Sequence, residues 1–302
     1  MTMEFEAFSH SILTEKVQAD LKKILRNPLI DTALSNSGYL AGGFVRSALK
    51  GDDIMNYLIP AYIKKHEETR PGDIDIFFER EDGVAACSNL LKEPEQGRGI
   101  IKPDSRSIGG FAIEKNISGR EIDSSFNSGQ IKVQLVDHKH TCGKPMLESV
   151  GNFDFTNCAV AMTKDKIFIP RGWREIEDDN LLDVVSSASP FLGGRILKYF
   201  YHRGFSKLTD SSRETILEWI VRSLHGKFEG YDKSHTAGIE SHLKTMANNS
   251  DLVPTNDLTL FLGRWQTILN IDTSSGIYGP THYVSVDFAL NEINKRNNQA
   301  SA

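Results

Sequence analysis

Asp73 and Asp75 are the residues in this chain whose type and spacing most directly suggest chemistry. They stand two apart in Asp73-Ile74-Asp75-Ile76-Phe77-Phe78, where acidic and apolar residues alternate and the β-branched content favours a strand. Period-two alternation turns both carboxylates to one face, ~6–7 Å apart along the strand. Two like charges held at that distance repel each other unless a cation lies between them. Mg²⁺ suits such a pair, because it accepts one or two carboxylates and leaves its other positions to water and phosphate oxygens. An isolated Asp-x-Asp is more often a solvated strand face, so the surrounding residues decide the reading.

Upstream lies Gly42-Gly43-Phe44-Val45-Arg46-Ser47, set between the short apolar segment Gly38–Leu40 and a helix predicted from Phe44 to Leu49, ending near Gly51. Glycines at this place let a phosphate approach the backbone, and a helix N-terminus offers N–H groups and a favourable dipole. Arg46, one turn in, carries a fork of donors that either reaches a triphosphate or sits in solvent. A phosphate cradle followed by paired acids on the next strand is the order that metal-assisted phosphoryl transfer requires.

The elements that must position these residues fall into two parts. Apolar spacing predicts a helix over 6–26, ended by Asn27-Pro28, and another from Asp53 to about Lys65. A helix is expected from Gly83 to Leu91, then a loop over 94–110. Strands are expected over Phe111–Ile117 and Ile131–Val136 with a loop between them, then a short helix over Lys144–Val150. A hairpin follows around Thr163-Lys164-Asp165. Beyond about residue 172 the periodicity is helical throughout, over 174–186, 190–204, 211–225, 236–247, 255–270 and 284–296. The expected fold class is therefore α/β (α+β): a mixed sheet with flanking helices over 1–170, with a helical insertion near 52–70, then an all-helical domain over 171–302.

Composition narrows the partners. With 302 residues, 39% hydrophobic and 25% charged, the chain is ordinary for a globular protein with a real core. A formal net charge of −5 argues against a generic nucleic-acid binder, while a local basic stripe remains available in Arg195, Lys198, His202 and Arg203. Helical spacing puts Arg195, Lys198 and His202 on one face, suited to a triphosphate or a nucleic-acid backbone. Three widely spaced cysteines, Cys87, Cys142 and Cys158, fit a reducing, cytoplasmic setting. No apolar run is long enough to cross a bilayer, so no membrane partner is expected. His138-x-His140-x-Cys142 lacks a nearby fourth ligand and reads as loop rather than zinc site. Trp173, Trp219 and Trp265 fall in amphipathic patterns and read as core, and Glu214, Glu218 and Arg222 as helix-surface pairs.

The run Ala41-Gly42-Gly43-Phe44-Val45-Arg46-Ser47-Ala48-Leu49-Lys50-Gly51, followed by Gly72-Asp73-Ile74-Asp75-Ile76, resembles the Gly-Gly-x-Val-Arg-Asp-x-Leu-Leu-Gly…Asp-x-Asp signature of the polymerase-β-type nucleotidyltransferases. The branch it most resembles is that of tRNA CCA-adding enzymes and bacterial poly(A) polymerases. Asp154-Phe155-Thr156-Asn157-Cys158-Ala159 is similar to that branch's Asp-Phe-Thr-x-Asn-Ala element. Pro190-x-x-x-x-Arg195-Ile196-Leu197-Lys198, followed by Gly204-Phe205, is similar to its Glu-Asp-Pro-Leu-Arg-x-x-Arg helix. Motif order and approximate spacing hold from residue 38 to 205.

The resemblance implies a nucleoside triphosphate substrate, with ATP the expected donor, and Mg²⁺ or Mn²⁺ on Asp73 and Asp75. It further implies nucleotide contacts from Gly42, Gly43, Arg46, Asp154, Arg195 and Lys198, and an acceptor hydroxyl, with RNA the leading candidate. Four departures stand out. The stretch Asp52–Pro71 replaces a connection of a few residues. Asn152-Phe153 stands where the branch has paired arginines. Ala188-Ser189-Pro190-Phe191-Leu192 lacks the side chains that read the base of CTP and ATP. Finally, Lys132 and Gln134 occupy the strand where many relatives carry a third acid, leaving Asp137 at its end or Asp154 from the next element as substitutes. Three readings follow: an RNA-directed transferase, a transferase acting on a protein or small molecule, or a binding protein that keeps the fold without turnover. The diverged motifs and helical back half also suit a phage or mobile-element protein.

Overall fold

Ile74, Ile76 and Phe78 alternate with Asp73, Asp75 and Phe77, and this pattern sets the centre of the fold. A computed structural model of the chain describes residues 3–58, 72–93, 100–101, 105–108, 112–125, 129–137 and 142–189, and further on 192–193, 195–196, 199, 203–205 and 207–224. The chain divides into two compact units, Met1–Trp173 and Arg174–Ala302.

The first unit is an eight-stranded mixed sheet. In chain order its strands are β1 (Phe5–Ser9), β2 (Gly38–Ala41), β3 (Asp73–Phe78), β6 (Ser105–Ile108), β7 (Ala112–Ser118), β8 (Gln130–Val136), β9 (Ala161–Met162) and β10 (Lys166–Pro170). A separate two-residue ladder pairs β4 (Lys92–Glu93) with β5 (Ile100–Ile101). Across the large sheet the order is β1-β10-β9-β2-β3-β8-β7-β6, and β3 pairs with β8 in parallel while the other pairings are antiparallel.

One face of the sheet is apolar. Ile74, Ile76, Phe78, Leu40, Ile131, Val133 and Leu135 are all fully buried there, in one cluster with residues of the flanking helices. Burial of each such side chain contributes about 1.5–3 kcal/mol, which anchors β3 and β8 through this face alone. The opposite face of the same strands carries Asp73, Asp75, Lys132 and Gln134, all only half-buried. A second, smaller apolar cluster of Tyr39, Ala41, Met146, Val150, Ala159 and Ala161 covers another part of that face.

Local sequence explains the helices. Thr14 caps α1 (Glu15–Ile24) by accepting from Val17 N, and Val17, Leu21 and Ile24 form its buried stripe. Asn27-Pro28 both stops α1 and starts α2 (Pro28–Ser35), since Asn27 Oδ1 accepts from Leu29 N and proline suits the first helical position. Helix α3 (Gly43–Lys50) ends at Gly51, whose φ of 76° is a left-handed cap. Helix α4 (Ile54–Leu58) follows, capped by Asp53, whose Oδ1 accepts from Asn56 N. Short helices α5 (Gly83–Ala86), α6 (Ser88–Leu91), α7 (Gly119–Ile122) and α8 (Met146–Gly151) complete the unit, with α7 opened by a Ser118/Glu121 capping box.

The structure corrects several expectations. Residues 5–9 are an edge strand on β10, not the start of the first helix. Phe8 packs against the core from the sheet, and the helical spacing becomes real only after Thr14. The expected helix over 83–91 breaks at Cys87, whose thiol donates to Gly83 O. The stretch 94–110 contains β6, whose register on β7 no local period announces.

Helix Trp173–Asp178, which starts on the last residue of the first unit, stops well short of 186. Leu181–Leu182 instead pairs in parallel with Lys207–Leu208, so the described part of the second unit is not purely helical. Helix Asp210–Leu224 matches its expected span. Thr209 caps it, accepting from Ser212 N while its hydroxyl donates to Asp183 Oδ1. Trp173 and Trp219 are buried, as the pattern indicated, whereas Trp265 lies outside the described residues.

Candidate active site

Strand geometry places the acids. Asp73 and Asp75 occupy alternate positions on β3 and are half-buried on the face turned away from the main core. At ~6–7 Å their repulsion is about 2–3 kcal/mol for an effective dielectric near 20. The antiparallel register of β2 sets Ala41 opposite Asp75. The chain therefore leaves β2 into Gly42-Gly43 alongside the N-terminal end of β3, where Asp73 stands.

Gly42 has φ 82° and ψ −142°, a conformation open essentially to glycine alone, and a Cβ there would meet nothing within 4 Å. Glycine is thus required at 42 by the backbone and not by crowding. The loop is tied down by Gly42 N donating to Val160 O at 3.2 Å and Arg46 N donating to Gly42 O at 3.0 Å. The first turn of α3 then opens beside the acids.

A carboxylate not singled out in the sequence completes this face. Glu114, on β7, lies opposite Gln134 of β8, which itself lies beside Asp75 of β3. Gln134 Nε2 donates to Glu114 Oε2 at 3.2 Å and to Asp73 Oδ2 at 3.3 Å. Lys132 Nζ approaches the same Glu114 oxygen at 3.4 Å. Glu114 is only 3% exposed, so its charge needs these partners. Together Asp73, Asp75, Glu114 and Lys132 leave a formal double negative charge on one patch. The signal for Glu114 was an acid between Ile113 and Ile117 on the strand beyond β8; only the register shows that it meets Asp73 through Gln134.

Asp137, one of the two substitutes the sequence offered for a third acid, does not reach this patch. It lies two residues beyond the Ile76–Leu135 pair, toward the opposite end of β3 from Asp73, and is exposed. There it faces Cys142, whose thiol is pushed up by burial first and then by the Asp137 carboxylate.

Arg46 and Asp154 are both buried at 7%, and each has interaction partners within the chain. Arg46 therefore does not sit in solvent. Asp154 precedes the 3-10 turn Thr156–Cys158, which packs against α3, the helix that carries Arg46. Arg195 is exposed in the second unit, while Lys198, His202, His138 and His140 lie outside the described residues. Among the described residues no three His, Cys, Asp or Glu side chains are gathered as a ready metal cage. The donor set at Asp73 and Asp75 is nevertheless one of hard oxygens on an accessible face. That chemistry fits a hard divalent cation such as Mg²⁺ or Mn²⁺.

No helix among the described residues is long and apolar enough to cross a membrane. No family model matches the sequence, and no curated protein matches it. Solved structures do match. The chain is similar to the Thermotoga maritima CCA-adding enzyme complexed with tRNA, at 15% identity and a TM-score of 0.48, over 90% of this chain and 55% of that one. It is similar to a CCA-adding enzyme in an apo form, at 14% identity and TM-score 0.49, over 88% and 55% of the two chains. A tRNA nucleotidyltransferase complexed with a primer tRNA and an incoming ATP analogue matches at 13% identity and TM-score 0.46, over 80% and 60%. The chain thus spans 55–60% of the length of these three structures.

Proposed function

We propose that this chain is a metal-dependent nucleotidyltransferase. It moves a nucleoside monophosphate from a nucleoside triphosphate, with ATP the expected donor, to an acceptor hydroxyl and releases pyrophosphate. The observation that carries this reading is the register of β2 on β3, which brings the Gly42-Gly43 turn and the start of α3 alongside Asp73 and Asp75.

In this reading Asp73 and Asp75 hold Mg²⁺ or Mn²⁺. The ion, when bound, supplies Lewis-acid polarisation of the α-phosphate and lowers the pKa of the attacking hydroxyl. The N–H groups of Gly42-Gly43 and the first turn of α3 receive the β- and γ-phosphates, where the helix dipole favours negative charge. Gln134 fixes the Asp73 carboxylate by a hydrogen bond, and Glu114 fixes Gln134 in turn. Arg46, in the first turn of α3, and Asp154, just before the 3-10 turn that packs on α3, are further nucleotide-binding residues in this reading. Arg195 and Lys198 serve the triphosphate or the acceptor strand. The RNA 3′ end is the preferred acceptor, because the similar structures include enzymes bound to tRNA.

The test is label transfer. The chain is incubated with each α-labelled nucleoside triphosphate, Mg²⁺ or Mn²⁺, and RNA, and in parallel with protein and small-molecule acceptors. The Asp73→Asn/Asp75→Asn variant runs beside it. Transfer by the wild type that falls by at least about 100-fold in the variant supports the reading. Transfer that survives in the variant, or a wild type that neither transfers nor binds a triphosphate, overturns it. The labelled product identifies the acceptor class.

A further inference from the structure

The segment between Gly51 and Gly72 sends one described side chain into the proposed nucleotide site. Helix α4 is held rigidly: Ile54 and Leu58 are fully buried, Met55 is 3% exposed, and Asp53 at its start pairs with Lys16 of α1 at 2.5 Å. With those positions turned into the core, Tyr57 is left half-buried at the helix edge, packed against the same cluster. Its backbone is tied to the acidic strand, since Tyr57 O accepts from Gly72 N at 2.7 Å. Its ring lies across two glycines. A Cβ on Gly72 would stand 1.8 Å from Tyr57 Cε1, and a Cβ on Gly43 would stand 3.0 Å from Tyr57 Oη. Neither glycine has a positive φ, so in contrast to Gly42 the need for glycine at 72 is steric, while a Cβ at 43 would press only on the hydroxyl end of Tyr57.

We propose that Tyr57 is a positioning residue of the nucleotide site, a strut that sets the distance between the phosphate loop at Gly43 and the first acid, Asp73. This inference rests on the nucleotidyltransferase reading and deepens it. The two halves of the site are joined along β2 and β3 only up to the Ala41–Asp75 pair. Past that pair the chain turns into α3 on one side, and Gly72 stands just before Asp73 on the other. The Tyr57 ring stands where side chains on both residues would go, its hydroxyl end toward the first residue of α3 and its edge against the residue before Asp73. A loop free to drift from Asp73 by even ~1 Å would misalign the triphosphate against the metal ligands, a displacement that costs on the order of 100-fold in such chemistry. The ring therefore acts on the nucleotide through the loop.

The experiment is a double-mutant cycle on Tyr57→Ala and Gly72→Ala, with Tyr57→Phe and Tyr57→Leu alongside. Each variant is read by thermal unfolding and by equilibrium binding of ATP with Mg²⁺. Tyr57→Ala is expected to weaken ATP binding by about tenfold, and Tyr57→Phe, which keeps the ring, to restore it to within about threefold. Gly72→Ala is expected to lower both the melting temperature and ATP affinity when Tyr57 is present, and to add less than about twofold to the affinity loss once the ring has gone. Tyr57→Leu keeps apolar bulk and a folded chain, and is expected to bind ATP as poorly as Tyr57→Ala. Tyr57→Ala and Tyr57→Leu binding ATP like the wild type, or Gly72→Ala being equally harmful in both backgrounds, overturns the strut. A wild type that binds no ATP overturns the nucleotidyltransferase reading itself, and the strut with it.

Discussion

Glu114 and Gln134 face each other across β7 and β8, and the Gln134 carboxamide nitrogen donates to the Glu114 carboxylate at 3.2 Å. The same nitrogen donates to Asp73 at 3.3 Å. A neutral amide thus stands between two carboxylates where a third acid would otherwise crowd them. Replacing it by Gln134→Glu should set three negative groups together. In a chelator the variant is expected to lose about 1–3 kcal/mol of stability. Mg²⁺ or Mn²⁺ should raise its melting temperature more than that of the wild type. Thermal melts with and without each ion check this; no ion-dependent shift in either protein would show that no cation binds at this face.

Glu114→Gln keeps shape but removes the charge that orients Gln134. The chain is expected to fold, since the site lies on the face opposite the main core. Transfer should fall by about tenfold in kcat with a smaller change in KM, because the orientation of Asp73 matters most in the transition state. Steady-state kinetics with saturating triphosphate measure the split.

Gly42→Ala tests the turn. Space for a Cβ exists, so the whole penalty comes from holding φ at 82° and ψ at −142°, about 1–3 kcal/mol. Denaturant unfolding should report that loss, with weaker triphosphate binding in the surviving folded fraction.

Lys23 of α1 donates to Asp123, just after α7, at 2.6 Å. The Lys23 hydrogen bond, aided by the Ser125 backbone, holds the Asp123 carboxyl down at about 2. A carboxylate whose folded pKa lies below its unfolded value stabilises above the unfolded pKa and loses that contribution as pH falls. The window therefore runs from near pH 4 down to about pH 2. Asp123→Asn should flatten the acid limb of the stability curve in that window and change little at neutral pH in high salt, where an exposed pair is screened. Chemical denaturation across pH 2–5 is the measurement.

In the second unit, a Cβ on Gly193 would come within 2.2 Å of the Trp219 ring, whose Nε1 donates to Ser189 O at 3.0 Å. Gly193→Ala should displace that ring, costing about 1–3 kcal/mol by overpacking. A shift in tryptophan emission at constant far-UV signal would mark it. An unchanged spectrum and unchanged melting would show that the ring yields freely.

Alternation and turn chemistry are local, so the sequence by itself determined β3, the Gly42-Gly43 turn, the Gly51 stop of α3 and the one-sided presentation of Asp73 and Asp75. A period of two needs no partner to assign its faces. Tertiary structure decided what lies beside them. Phe8 follows the helical spacing of the residues after it, yet pairing with β10 takes residues 5–9 into the sheet. Glu114 sits in an isoleucine-rich strand, and its meeting with Gln134 and Asp73 depends on the registers of β7 on β8 and β8 on β3. Asp137 stands next to the right strand but at the wrong end of it. Arg46 belongs to the motif that suggested a triphosphate donor, and the packing of α3 buries it. Gly72 looks in sequence like any glycine before a strand, and only the placement of the Tyr57 ring shows why it has no room for a side chain. Register and packing join residues far apart along the chain, and no local pattern encodes that distance.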